Sequence, residues 1–351
     1  MNKKSFIGNY SNYLNCRVKS VRELLLFQGS VVDPYLLSLL SQNSNSYFSM
    51  ISYKGIDIPV FSSLHPCAEK NIVAKLRIPY ISKSIDSIAE VRQLIDSGSA
   101  VLISYDADCL SRGVKTHNFG LISTTVLWDY SESKFTSTRQ DDVGFVRYDE
   151  HDIFSSMCVD TQPVAPNREV IYLTDAFIED NICTDSLVEA IKNNLLESKE
   201  NITFRNSKTL AEYNCIEGAN AFSKMRACLK ELNHTIVSQS SMDVVRRVFV
   251  LLMTIMLKVM EKNGFGFASF ENCFWFGYRK FMQLIGKSTD SELCAFAEDI
   301  TNRWNGISEL LSSIKAYSRD IDKINEFFEL LELSFSDIER IECLFFSHLS
   351  F

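Results

Sequence analysis

From about residue 176 to the end, apolar residues recur every three to four positions with few interruptions. This constrains the fold more than any other feature. Helices are expected at about 184–198, 216–232, 242–263, 268–286, 290–317, 319–332 and 335–347. The chain has only 13 glycines and 6 prolines in 351 residues, so little stops such runs. Ser241 offers an N-cap for the third helix and Gly264 a stop. That helix contains VFVLLMTIML, Val248 to Leu257. The run is about half the length that spans a bilayer, so it reads as a deeply buried helix.

The first half has mixed patterning. Residues 16–28, CRVKSVRELLLFQ, carry helical spacing, and Gly29 is a natural stop. Asp33-Pro34 opens a second helix, with Asp as cap and Pro in the first turn. Residues 47–61 read as extended around a turn at Lys54-Gly55. Ser87 to Glu90 forms a capping-box pattern for a helix ending near Gly98. Ala100 to Tyr105 reads as a buried strand, followed by a polar loop over 106–116. His117 to Tyr130 then reads as one long strand, turning at 130–134 and returning from Phe135. Residues 168–174 form a further strand. The expected architecture is α+β: a mixed domain over 1–175, then an all-α domain over 176–351.

The formal net charge is −8, and no basic stripe appears, which argues against nucleic acid as a partner. Arg246 and Arg247 are the one local basic pair singled out. Ten cysteines are scattered without a CxxC or a zinc-finger Cys/His spacing. This is thiol usage for a reducing compartment, with no metal site and no disulfide framework expected. The start, MNKKSFIGNYSNY, has two lysines without an apolar signal core behind them. A cytoplasmic protein with no membrane span is expected. Self-association through apolar helix faces is equally compatible with the pattern.

Among the ten cysteines, Cys16 stands where a loop becomes a helix. Unpaired N–H groups and the positive dipole end there favour a thiolate, which is the nucleophilic form. Arg17 and Lys19 place positive charge nearby. Most cysteines are buried structural residues, so position alone does not make Cys16 functional. His117 opens a strand after a polar loop. A thiol heading an N-terminal helix, followed far downstream by a histidine opening a β-hairpin, resembles the papain-type layout. There the helix packs on an antiparallel sheet and the imidazole serves the sulfur. A third group orients the imidazole. Asp142 is favoured for that place, with Asp141, Asp129 and Asp149 as alternatives. His65, His151, His234 and His348 have weaker contexts.

NCRVKSVRELLLFQG, the extended YFSMISYKG, Val101-Leu-Ile-Ser-Tyr-Asp106 and His117 to Val126 together resemble the butirosin biosynthesis protein H family. In the second half, Gly218-Ala-Asn-Ala-Phe222, Tyr278-Arg-Lys-Phe281 and Trp304 before ISELL fit the same family's helical domain. Asn15 stands where the family carries His. The resemblance implies a papain-like cysteine-protease-type domain followed by an all-α domain. It also implies an acyltransferase. Cys16 would take an acyl or aminoacyl group from the 4'-phosphopantetheine thioester of an acyl or peptidyl carrier protein. A small-molecule amine would accept it, with His117 as base, and the chain would need no cofactor of its own. A cysteine peptidase or thioesterase on the same scaffold is the alternative enzyme reading. A non-catalytic papain-like binding module is the alternative without chemistry. Arg279 and the 264–278 segment are candidates to line an acceptor pocket, against a reading of Phe274, Trp275, Phe276 and Tyr278 as core packing.

Overall fold

The computed structural model describes residues 16–41, 47–62, 65–112, 122–138, 144–160, 165–174, 182–204, 206–210, 215–262 and 274–350. Along the first part of the chain run α1 (Cys16–Phe27), α2 (Pro34–Ser41), β1 (Tyr47–Tyr53), β2 (Ile56–Ser62), α3 (Ala68–Lys75) and β3 (Tyr80–Ser84). There follow α4 (Ile88–Asp96), β4 (Val101–Asp106), α5 (Ala107–Arg112), β5 (Ile122–Leu127), β6 (Asp129–Ser131), β7 (Lys134–Thr138) and β8 (Phe145–Asp149). Next come α6 (Glu150–Met157), β9 (Glu169–Leu173), α7 (Thr184–Thr203), β10 (Ser207–Leu210), β11 (Cys215–Gly218), α8 (Ala219–Val237) and α9 (Met242–Lys262). The chain ends with α10 (Phe276–Leu284), α11 (Ser291–Ser312), α12 (Ile314–Tyr317) and α13 (Ile321–His348). The class is α+β with antiparallel sheets, as expected.

The chain separates into two units, each assembled from three segments. One comprises Met1–Ser41, Pro66–Asn193 and Phe276–Ile285, and the other Gln42–His65, Asn194–Trp275 and Gly286–Phe351. The hairpin β1–β2 is thus drawn from the first half into the second unit, and α10 is drawn back into the first.

The first unit holds a four-stranded antiparallel sheet in the order β3-β9-β4-β5. All six residues of β4 are buried, so it has packing on both faces. Val101, Ile103 and Tyr105 join Val91, Ile153 and Met157 in one core, which places α4 and α6 on that face. On the opposite face Thr124 of β5, register partner of Ser104, donates its hydroxyl to Ser20 of α1 at 3.1 Å. The arrangement is helix, sheet, helix. α1 also packs on α2 and α3, which explains why nine of its twelve residues are buried, Lys19, Arg22 and Glu23 among them.

Local signals place these elements as expected. α1 stops at Gly29, whose positive φ of 88° lets Gly29 N–H reach Leu26 O and Ser30 N–H reach Leu25 O. Asp33 Oδ1 accepts from Tyr35 N–H at 2.8 Å to start α2. Ser87 Oγ accepts from Ala89 N–H at 3.2 Å to start α4, while Glu90 reaches back to Asp86 N–H at 2.9 Å.

Two expectations near the site are corrected. Residues 107–112 are helical rather than loop, because Asp106 Oδ1 accepts from Cys109 N–H at 2.7 Å and starts α5. The strand after β4 is broken at Trp128: β5 pairs with β4, whereas β6 pairs with β7 in a separate sheet, β6-β7-β8.

The second unit has a four-stranded antiparallel sheet, β10-β11-β1-β2, to which the otherwise helical second half contributes two short strands. Ser207–Leu210 and Cys215–Gly218 are four-residue strands, too short to show alternation. Phe61 of β2 meets Phe222, Phe335 and Trp304 at 4.6, 5.3 and 5.8 Å between ring centroids, joining the sheet to α8, α13 and α11. The break expected near 333 is absent, and α13 runs 28 residues. No glycine or proline interrupts it, and Ser334 bonds back to Leu330 O at 2.8 Å. Arg246 is not part of a free basic patch: it donates to Ser318 O at 2.8 Å and Arg319 O at 3.1 Å, beyond the end of α12. Among the described residues no helix is long and apolar enough to cross a membrane.

Candidate active site

Cys16 is the first residue of α1 and half-buried, and its sulfur is in no disulfide. The helix beneath it is gripped on several sides, so its first turn is held in place. Ser20, one turn along and about 6 Å down the axis, is the residue bonded to Thr124 of β5. Cys16 thus lies one helical turn before the residue of α1 that is bonded to β5.

The next residue, Arg17, reaches to Glu69 of α3 and to Pro66 just before that helix. Its Nε donates to Glu69 Oε1 at 2.5 Å, and its Nη2 donates to Glu69 Oε2 at 2.7 Å and to Pro66 O at 2.5 Å. The two side chains are 14% and 3% exposed, so this bidentate pair is largely out of water. Burial opposes the guanidinium charge most strongly. The Glu69 carboxylate, by charge and by hydrogen bond, and smaller attractions from the Cys16 and Cys67 sulfurs nonetheless raise Arg17 above its usual value. Cys67 is the N-cap of α3, so two thiols at two helix starts act on one guanidinium. Arg17 is expected to add positive charge beside Cys16, and the attraction between the two accords with that, while Glu69 engages the same charge by two hydrogen bonds.

His117, Asp141 and Asp142 lie outside the described residues, as does Asn15. Of the described alternatives, Asp129 lies opposite Thr136 in the β6–β7 pair. It is seven residues past Ile122, about 23 Å along an extended chain. Asp149 lies opposite Lys134, past the Glu132–Ser133 turn, and its Oδ1 accepts from His151 N–H at 2.9 Å as the cap of α6. Asp149 sits at the turn end of the β6–β7 hairpin, whereas Asp129 is the first residue of β6, two positions past Leu127 at the far end of β5. The other histidines have separate places. His65 is buried edge-on against Tyr47 in the second unit, 5.2 Å between centroids. His151 is in the first turn of α6, His234 in the last turn of α8, and His348 bonds Leu344 O at 2.8 Å.

Two acidic residues near the site went unread as such. Glu69 follows Pro66-Cys67-Ala68, and an acidic residue just after such a break marks a helix start, so α3 was legible. Its pairing with Arg17, 52 positions away, was not. Asp106 opens the expected polar loop and closes the Val101–Asp106 motif, and in the structure it ends β4. It is 4% exposed, opposite Ile122, and alternation puts it on the face that carries α1. Arg279 is exposed on α10 while Tyr278 is buried, and residues 263–273 lie outside the described residues. Among the described residues no group of three or more His, Cys, Asp or Glu is arranged to hold a metal ion.

No protein-family model and no curated protein matches the chain. Among solved structures, a chain from Bacillus anthracis described as a C39-like peptidase shares 12% identity at a TM-score of 0.33. The overlap covers 46% of this chain and 89% of that one.

Proposed function

We propose that this chain is a thiol-dependent acyltransferase with Cys16 as nucleophile and His117 as base. The observation that carries the reading is the setting of Cys16. A half-buried cysteine outside any disulfide heads a helix buried on nearly every side, laid on a sheet whose strand β5 begins five residues after His117.

In the proposed reaction the Cys16 thiolate attacks the carbonyl carbon of a carrier-protein thioester. Helix-start N–H groups stabilise the developing oxyanion. The carbon–sulfur bond to the phosphopantetheine thiol breaks, and that thiol leaves with the proton His117 took from Cys16. An amine then attacks acyl-Cys16 and loses a proton to His117, and an amide is released with Cys16 restored. Asp142 is proposed to orient His117. The carrier protein, the amine acceptor and the absence of a resident cofactor belong to this reading and follow from the family resemblance. A peptidase or thioesterase uses the same acyl-enzyme with water as acceptor.

The test is intact-mass spectrometry after incubation with short acyl thioesters. The expected result is one acyl adduct, mapped to Cys16, absent in Cys16→Ala and discharged faster by added amines than by water. Equal discharge with and without amine assigns a hydrolase. Full turnover by Cys16→Ala overturns both.

A further inference from the structure

We infer that Glu69 is a positioning residue for Cys16: through Arg17 it ties the first turn of α1 to the start of α3 and balances the charge beside the sulfur. The inference rests on the reading of Cys16 as nucleophile.

An arginine in a first turn opposes the helix dipole and would leave that end more positive. Here the guanidinium is drawn off by two hydrogen bonds to Glu69 and one to Pro66 O. Glu69 sits in the first turn of α3, where a carboxylate is favoured by that helix's own dipole. One carboxylate thus serves two helix starts. A buried ion pair seldom adds net stability over apolar residues of the same size, because both charges must leave water. What it does supply is a fixed, two-point geometry and a local charge near zero. Both matter directly beside a thiol whose reactivity depends on its thiolate fraction and on aim.

The elements packed on α1 define the field around the sulfur. α1 itself carries Arg17, Lys19, Arg22 and Glu23, and α3 carries Glu69, Lys70 and Lys75 after the Cys67 thiol. Lys70 is paired with Glu169. α2 contributes Tyr35 and β4 contributes Tyr105 and Asp106, while β5 has no titratable residue. Arg17, the residue after Cys16, and Glu69 form an oppositely charged, doubly bonded pair at the start of α1.

The experiment measures the pH profile of Cys16 alkylation by iodoacetamide, resolved by peptide mass spectrometry, together with turnover of an acyl thioester. Glu69→Gln leaves the guanidinium uncompensated and should move the alkylation midpoint down by about one pH unit. Arg17→Met leaves the carboxylate uncompensated and should move it up by a similar amount. The double variant, again neutral, should return to the wild-type midpoint, while turnover falls at least tenfold in all three. A pair that merely braces the fold would move both single variants the same way or not at all, and that result overturns the inference. Where circular dichroism shows a single variant losing its fold, Glu69→Asp replaces it. It keeps the charge but not the reach, so the wild-type midpoint with reduced turnover is expected, and unchanged turnover counts against the inference. Full activity in Cys16→Ala would instead remove the nucleophile reading itself, whatever the midpoints show.

Discussion

Replacing Gly277 by alanine should force α10 off α2. A Cβ at Gly277 would lie 2.2 Å from the backbone oxygen of Tyr35 and 3.1 Å from both Tyr35 C and Leu39 Cγ. The nearest atom is backbone, so no side chain can swing aside. Relief requires the helices to part by about 1 Å, a gap that forfeits a quarter to a half of the dispersion energy across it. Overfilling a packed contact costs about 1–3 kcal/mol, against about 1 kcal/mol gained from alanine's helix propensity. The separation also pulls on the Lys280–Asp33 ion pair and on the Tyr35–Phe276 ring contact at 5.9 Å. A net loss of up to about 2 kcal/mol is expected from these opposing contributions. The control is Gly306→Ala in α11, where an added Cβ meets nothing within 4 Å. That variant should gain about 1 kcal/mol from propensity alone. Guanidinium denaturation followed by far-UV circular dichroism and by tryptophan fluorescence reads both, with Gly277 in the first unit and Gly306 in the second. If Gly277→Ala stabilises as much as Gly306→Ala, the close approach of α10 to α2 is wrong.

Two further predictions concern cysteines outside the site. The exposed Cys183 thiol is held below its usual value by a side-chain hydrogen bond with Ser186 at 3.0 Å and by Ser186 N–H at 3.4 Å. It should be alkylated faster at pH 7.5 than exposed Cys158 or Cys294, and Ser186→Ala should slow it; an unchanged rate would sink the assignment. Cys215 is pushed up to about 12, first by burial and then by Glu217. Its folded value is raised, so its contribution to stability is complete below the unfolded value of 9.0 and is lost as pH rises from there to about 12. Raising the pH from 8 to 10 should therefore remove about 1.4 kcal/mol. Cys215→Ala should show a shallower loss over that interval, and an identical slope would refute the argument.

The features readable along the chain are local ones. The stop of α1 at Gly29, the start of α2 at Asp33, the cap at Ser87 and the apolar run of β4 each depend on hydrogen bonds or alternation within a few residues, so they were legible one segment at a time. Cys16 at a helix start was legible for the same reason. The tertiary structure alone decided which segments share a core. Nothing in residues 47–62 announces that they pair with Cys215–Gly218, and nothing near Trp128 shows a strand passing from one sheet to another. The site divides along the same line. The helix start that favours a thiolate is written in a dozen residues, but Arg17 is neutralised by a carboxylate 52 positions away. Local patterns record the backbone bonds a segment makes with itself. Partners brought together by burial leave no mark on the periodicity of either, because the free energy that joins them comes from surfaces distant in the chain.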